Sequence, residues 1–269
     1  MSVKRLWVAG LVVLGLVIGG GAWAIRESSK VCCAPDMASA GPRMQLGLMT
    51  GLPLYWPLEA SFEQIAQNDF ETPWFRTLTE PHYELLPLDT LSPIPALDPS
   101  AAPGNPMEGI ESFALIQPRG LAPSDNVALD EWVRAGGRLL LVLDPQLSGH
   151  YELPLGHPRF PSVTAFIPPV VERWGLAIQY DGEQSEELAF AALPDAELPV
   201  HLYGEIVALD GTESDCRLDV SRALAQCDVG EGRVTVLADA AVFEHHDLAG
   251  EEGELLSALM SFAFSDPEL

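Results

Sequence analysis

The feature that most restricts the fold is a strand–helix–strand unit in the middle of the chain. Ser112–Ile116 is almost entirely apolar and predicts a strand. Pro123 follows at the first position of a predicted helix, where its missing N–H costs nothing, and the Gly136-Gly137 pair marks the helix end. The strand predicted at 138–143 is apolar on both faces, as buried parallel strands are. We therefore predict an α/β domain with a mostly parallel sheet flanked by helices.

The alternation of strands and helices extends over residues 44–269, which we predict to form the folded domain. Further strands are predicted at 45–49, 83–88 and 233–237, and further helices at 61–80, with a break at Pro73, and at 251–264. The alternation stops at about 146–230, where a helix at 169–174 is followed by short strands predicted at 176–179, 188–192, 200–208 and 216–220. We interpret this stretch as an inserted or edge β region.

The N-terminal segment is typical of a membrane anchor. Residues 6–25 carry no charge and span roughly 30 Å as a helix, which matches the hydrocarbon core of a bilayer. The basic pair Lys4-Arg5 precedes them, which predicts a single-pass protein of the cytoplasmic membrane with a short cytoplasmic N-terminus and a periplasmic domain. Residues 26–43 are small, polar and Pro-containing, and we interpret them as a tether. A signal peptide cleaved near Ala38-Ser39-Ala40 is the alternative, but its apolar core is usually only about 7–15 residues long.

The charge of the chain excludes one class of partner. The sequence holds 39 acidic residues against 14 basic ones, for a formal net charge of −25. No Lys follows residue 30, so the predicted periplasmic domain is more acidic still. Nucleic-acid binding needs clustered Lys and Arg to contact phosphates, and we therefore expect no nucleic-acid partner.

The four cysteines leave several states open. Cys216 and Cys227 lie in an alternating, strand-like stretch and would close a hairpin as a disulfide in an oxidising compartment, or remain as two reduced thiols. Cys32 and Cys33 are adjacent and could pair between chains, carry a lipid or stay free. No Cys-x-x-Cys or Cys/His spacing indicates zinc, and we expect neither a metal nor another cofactor.

Two segments carry a resemblance to a known family. The run at 114–123 leads into Leu129-Asp130-Glu131-Trp132-Val133-Arg134-Ala135-Gly136-Gly137-Arg138-Leu139-Leu140. This resembles the strand, Leu-Ser-Pro, helix, Trp-Val-x-x-Gly-Gly-x-Leu-Leu signature of the gliding-motility and ABC-transporter auxiliary family, also described as a DUF4350-like or class I glutamine amidotransferase-like domain. The segment 232–239 is similar to that group's Gly-Arg-Val motif, which ends in Asp. The resemblance implies a flavodoxin-like or amidotransferase-like domain that serves an ABC-type transport or envelope system.

One departure from that family bears on activity. An amidotransferase has a nucleophilic Cys on a tight Gly-x-Cys-x-Gly turn after the strand that corresponds to Ser112–Ile116. Here the turn is Gln117-Pro118-Arg119-Gly120, and no Cys lies between Cys33 and Cys216. Acyl-enzyme chemistry of that kind needs the thiolate. We therefore expect a non-catalytic binding or interaction domain.

In open parallel sheets, ligands bind beyond the carboxyl ends of the strands. The candidate ligand-binding residues at those ends are Thr50, Gly51, Gln117, Arg119, Asp144 and Asp239. Arg119 could hold a carboxylate or phosphate, or form an ion pair with a neighbouring acid. Asp144 and Asp239 could bind a ligand, or cap the turn or helix that follows each of them.

Two further functional hypotheses remain open from the sequence. A hydrolase that depends on a metal or on Asp and His side chains would use Asp144, Asp239 and His245 at the strand ends. A small-ligand sensor would use Arg119. His245 is followed by His246, and adjacent side chains point in different directions, which argues against a shared metal. The segment 49–57 is unusually apolar and contains Tyr and Trp, so it either lines a binding groove or a partner interface, or packs as core.

Overall fold

The computed structural model describes residues 43–98, 100–154, 156–211 and 214–265. The predicted anchor at 6–25 lies outside these residues, as do Cys32, Cys33 and all of the predicted tether before residue 43. Within the described ranges, no helix has both the length and the apolar character needed to cross a bilayer.

A seven-stranded sheet forms the centre of the described domain. Its spatial order is β2-β1-β3-β4-β11-β10-β9, and the first five strands are parallel to one another. The parallel strands are β1 (Met44–Thr50), β2 (Tyr83–Pro87), β3 (Ser112–Ile116), β4 (Arg138–Val142) and β11 (Gly232–Leu237). The antiparallel strands β9 (Asp215–Leu218) and β10 (Leu224–Val229) extend one edge. The prediction of an α/β fold with a mostly parallel sheet is confirmed.

Helices cover both faces of this sheet. They are α1 (Phe62–Gln67), α2 (Trp74–Thr79), α3 (Pro123–Arg134), α4 (Pro169–Arg173), α5 (Ala241–Glu244) and α6 (Glu254–Phe264), with a 3₁₀ helix at His246–Ala249. Side chains of β3 alternate between two cores: Ala114 and Ile116 pack with α2, α5 and α6, whereas Phe113 and Leu115 pack with α3 and α4. A strand buried on both faces has to be apolar throughout, which is the pattern that predicted the sheet.

The region between β4 and β11 differs in part from its prediction. Two small antiparallel pairs lie there, β5 (Leu176–Gln179) with β8 (Glu205–Ala208), and β6 (Ala189–Ala192) with β7 (Glu197–Val200). The prediction of one strand over 200–208 is wrong, because the backbone turns at Leu202, whose φ is 53°. The last two strands of this region, β10 and β9, extend one edge of the central sheet, in agreement with the edge alternative.

Cys216 and Cys227 are joined by a disulfide. They lie opposite each other in the antiparallel pairing of β9 and β10, and Cys227 is fully buried. The bond closes a loop with a sequence separation of 11. It therefore attaches the edge strand β9 covalently to the sheet.

Loss of this bond has an expected cost. Replacing Cys216 and Cys227 together with Ala should lower the free energy of unfolding by about 3 kcal/mol, since the unfolded chain regains the entropy that the loop closure removed. Urea denaturation followed by circular dichroism measures this change. A reductant should shift the wild-type midpoint and leave that of the double variant unchanged. A reductant effect of equal size on both proteins would contradict the prediction.

Candidate functional site

The carboxyl ends of the parallel strands meet at one edge of the sheet. The register pairs Thr50 with Ile116, Ile116 with Val142, and Val142 with Leu237. All six candidate ligand-binding residues lie at the ends of these strands or within three residues after them, so the fold brings them to the same edge, which we call the strand-end rim. The rim comprises Thr50, Gly51, Gln117, Arg119, Asp144 and Asp239.

Gln117 occupies the turn after β3 and is fully buried. Its backbone φ is 44°, in the left-handed region that residues other than Gly, Asn and Asp seldom adopt. The side-chain amide donates to the carbonyl oxygens of Asp144 and Ser162, each at 3.0 Å, and its oxygen accepts the Asp144 N–H at 2.8 Å. The side chain thus joins the ends of β3 and β4 to the loop at residue 162.

Asp144 and Asp239 use both of their carboxylate oxygens on backbone N–H groups. Asp144 accepts from Gln146 at 2.7 Å and from Ala240 at 2.8 Å. Asp239 accepts from Ala241 and from His201, each at 2.9 Å. Both side chains are fully buried. Their geometry is that of the capping alternative, because each fixes the turn or helix that follows its strand.

Burial dominates the electrostatics of these carboxyls. Removal from water is the main cause that raises the pKa of Asp144 to about 7; the Glu244 charge adds to the shift, and the two backbone hydrogen bonds oppose it. Burial also raises the pKa of Asp239 well above its usual value, with the Asp144 charge as the second cause. A negative charge beside a buried carboxyl favours its protonated form, so the Asp144 charge favours a proton on Asp239.

Glu244, at the end of α5, holds the loop that follows β4. Its carboxylate accepts the backbone N–H of Ser148 at 2.9 Å and that of Gly149 at 3.0 Å, together with a short hydrogen bond from the Tyr151 hydroxyl. Burial raises the pKa of Tyr151, and the Glu244 charge raises it further, so the phenol stays protonated and donates. These contacts anchor 148–151 against α5.

The structure also shows a serine–histidine pair beside Glu244 that the sequence did not predict. The Ser148 hydroxyl lies 3.0 Å from His245 Nε2 and 3.3 Å from a Glu244 oxygen. A hydroxyl beside an imidazole is the first requirement of a nucleophile and its base. The backbone N–H groups of Ser148 and Gly149, which would otherwise stabilise an oxyanion here, already donate to Glu244. No Gly-x-Ser-x-Gly spacing surrounds Ser148 that would have indicated the pair.

The remaining rim residues also have partners within the fold. The Gly51 N–H donates to the carbonyl oxygens of Ile116 and Gln117, each at 3.1 Å, and the Thr50 hydroxyl accepts the Leu52 N–H at 3.0 Å. The Arg119 guanidinium donates to the carbonyl oxygens of Pro158 and Phe160 instead of pairing with an acid. The described residues bring together no group of three or more His, Cys, Asp or Glu side chains able to hold a metal ion.

A separate groove of about 630 Å³ lies against α2. Residues from the segment after β1, from the connection between α1 and α2, and from the 3₁₀ helix line it, among them Pro57, Glu59, Glu71, Trp74 and His246. One part of the apolar segment 49–57 therefore packs as core, and another part lines this groove. Leu52 and Leu54 are buried in the core, whereas Pro57 lines the groove.

Neither a family model nor a curated protein matches the sequence. Similar solved structures include an exo-β-1,4-mannosidase from Opitutaceae bacterium strain TAV5, at 12% identity and a TM-score of 0.47 over 84% of this chain and 37% of that one. A β-galactosidase from Rahnella sp. R3 has 10% identity and a TM-score of 0.44 over 81% and 31%. A cytoplasmic protein from Salmonella typhimurium LT2 has 10% identity and a TM-score of 0.42 over 82% and 100%. The chain spans about a third of the length of the two glycosidases, and TM-scores under 0.5 carry no functional argument.

Proposed function

We propose that this chain is a binding domain whose strand-end rim has a structural role. The proposal depends on one observation: the side chains of Gln117, Asp144 and Asp239 form hydrogen bonds with the backbone around them. A ligand at the rim would have to displace buried hydrogen bonds, each of which costs about 1–3 kcal/mol when left unpaired. Binding to another surface, such as the groove beside α2, carries no such cost.

The proposed setting is the outer face of the cytoplasmic membrane, in an ABC-type transport or envelope system. The apolar segment 6–25 supports an anchor, and the Cys216–Cys227 disulfide is typical of an oxidising compartment. The transport role itself rests on the resemblance of 114–140 and 232–239 to the auxiliary family. The left-handed turn at Gln117 is consistent with that resemblance, since it has the strained geometry of a nucleophile turn but carries an amide.

Cross-linking in intact membranes tests this proposal. The full chain, tagged at its C-terminus, would be cross-linked, solubilised in detergent and purified, and its partners identified by mass spectrometry. We expect an ABC-type permease or ATPase subunit to be enriched over a single-pass protein carrying the same tag. Repeated recovery of no transport or envelope component would count against the proposal.

A hydrolase is the second candidate, and one observation favours it. Ser148 and His245 form a hydroxyl–imidazole pair at 3.0 Å, close in sequence to the buried Asp144 and adjacent to Glu244. A fluorophosphonate probe, which reacts with activated serine hydroxyls, distinguishes the two candidates. Labelling of wild-type protein that is lost in Ser148→Ala would support the hydrolase. We expect equal, background labelling of both proteins.

A further inference from the structure

The groove beside α2 combines an aromatic ring with acidic side chains. Trp74 is half-buried and packs against the core, and its ring meets that of His246 edge-on, with centroids 5.2 Å apart. Trp has the most favourable aromatic face for a cation. Because the core and His246 fix the Trp74 ring, a ligand would meet a surface that needs little ordering on binding.

The described side chains that line the groove offer a ligand two carboxylates and no ammonium or guanidinium group. Glu59 and Glu71 line it and are exposed, and among the described lining residues none is Lys or Arg. Two arginines lie near the lining residues: Arg76 is in an ion pair, whereas Arg159 contacts a neutral carbonyl and keeps its charge. Arg76 lies 4.4 Å from the Tyr55 ring centroid and pairs with Glu80, and Arg159 donates to the Ala60 carbonyl at 2.6 Å.

The surrounding charge strengthens this preference. The chain carries a formal net charge of −25, and no Lys follows residue 30. A strongly acidic surface raises the local concentration of cations and steers them to a concave site. The groove volume of about 630 Å³ lies within the range of small-ligand pockets, roughly 300–1,000 Å³.

We propose that this groove binds an organic cation, an amine or guanidinium group on an apolar stem. The carboxylates of Glu59 and Glu71 neutralise the charge, and Trp74 contacts it through its ring face. Phe70 and Pro57 contact the stem. A free polyamine and the Lys or Arg side chain of a peptide both present this chemistry. The inference rests on the proposed binding function and names the ligand class of the groove.

Titration calorimetry on the detergent-solubilised full chain tests the proposal with two probes, spermidine and a tetra-arginine peptide. We expect saturable binding of at least one probe, and no binding of glucose. Replacing both Glu59 and Glu71 with Gln should weaken binding about tenfold or more, and Trp74→Phe should weaken it about threefold, because Phe has the weaker ring face. Binding of the peptide alone would identify a protein as the source of the cation, and binding of spermidine a free amine.

The matched control is Glu183→Gln with Glu187→Gln, which removes the same charge from exposed positions outside the groove. Its affinity should stay within about twofold of wild type. Equal weakening in the two double variants would overturn the proposal, since binding would then follow net charge alone. Absence of saturable binding of both probes would overturn it as well. If the membrane cross-linking partner is still recovered in that case, the binding function stands and only the cation site fails.

Discussion

Replacing Gln117 with Ala should lower the free energy of unfolding by about 3–5 kcal/mol. The side chain is fully buried and makes three hydrogen bonds, to the N–H and carbonyl of Asp144 and to the carbonyl of Ser162. Truncation leaves the Asp144 N–H and the Ser162 carbonyl without this partner, and each such group costs about 1–3 kcal/mol, whereas the Asp144 carbonyl still accepts from the Ala165 N–H at 2.8 Å. Chemical denaturation at pH 7 measures the change.

Two further variants identify the cause. Gln117→Gly relieves the left-handed backbone, at φ 44°, and should recover about 1 kcal/mol relative to Ala while remaining less stable than wild type. Gln67→Ala removes an exposed glutamine at the end of α1 and should change stability by less than about 0.5 kcal/mol. A Gln117→Gly protein as stable as wild type would mean that backbone strain, and not hydrogen bonding, governs this position.

The wild-type protein should lose stability as the pH rises from about 4 to about 7. The Asp144→Asn variant should show much less of this loss. Burial raises the pKa of Asp144 from 3.8 to about 7. Between these values the folded protein retains a proton that the unfolded chain has released, so stability falls as the pH rises. The shift corresponds to a change on the order of 4 kcal/mol. Asn imitates the protonated carboxyl and does not ionise.

The measurement is the difference in unfolding free energy between wild type and Asp144→Asn at several pH values from 4 to 8. The variant should gain stability relative to wild type across this interval, and the difference should level off above pH 7. Asp195→Asn, at an exposed position, is the control and should follow the wild-type curve. A constant difference between wild type and Asp144→Asn would contradict the raised pKa.

The sequence predicted the central sheet because its strands are buried on both faces. Such strands are apolar throughout, as the pattern at Ser112–Ile116 and 138–143 shows. The helix break was also predicted, because proline cannot continue a helix and α2 begins directly after Pro73. The strand predicted over 200–208 failed because Leu202 turns the backbone without Gly, Pro or Asn at that position to indicate it.

The sequence located the rim and offered capping as one of two roles for Asp144 and Asp239, but it did not predict the contacts of Gln117. Strand ends can be read from the sequence, and they correctly brought Gln117, Asp144 and Asp239 to one edge. Which atoms those side chains contact depends on the loop after β4, and the sequence gives no pattern for its path. The contacts of Glu244 with Ser148 and Gly149 join residues more than 90 positions apart, beyond the reach of local spacing rules.

A turnover assay tests most directly whether the strand-end rim and the Ser148–His245 pair beside it are non-catalytic. The solubilised full chain and its His245→Ala variant would be incubated with a panel of ester, peptide and glycoside substrates at pH 7. Because the rim carboxylates and the N–H groups near Ser148 already have partners, we predict the same background rate for both proteins. A rate above background in wild type that disappears in His245→Ala would contradict the account.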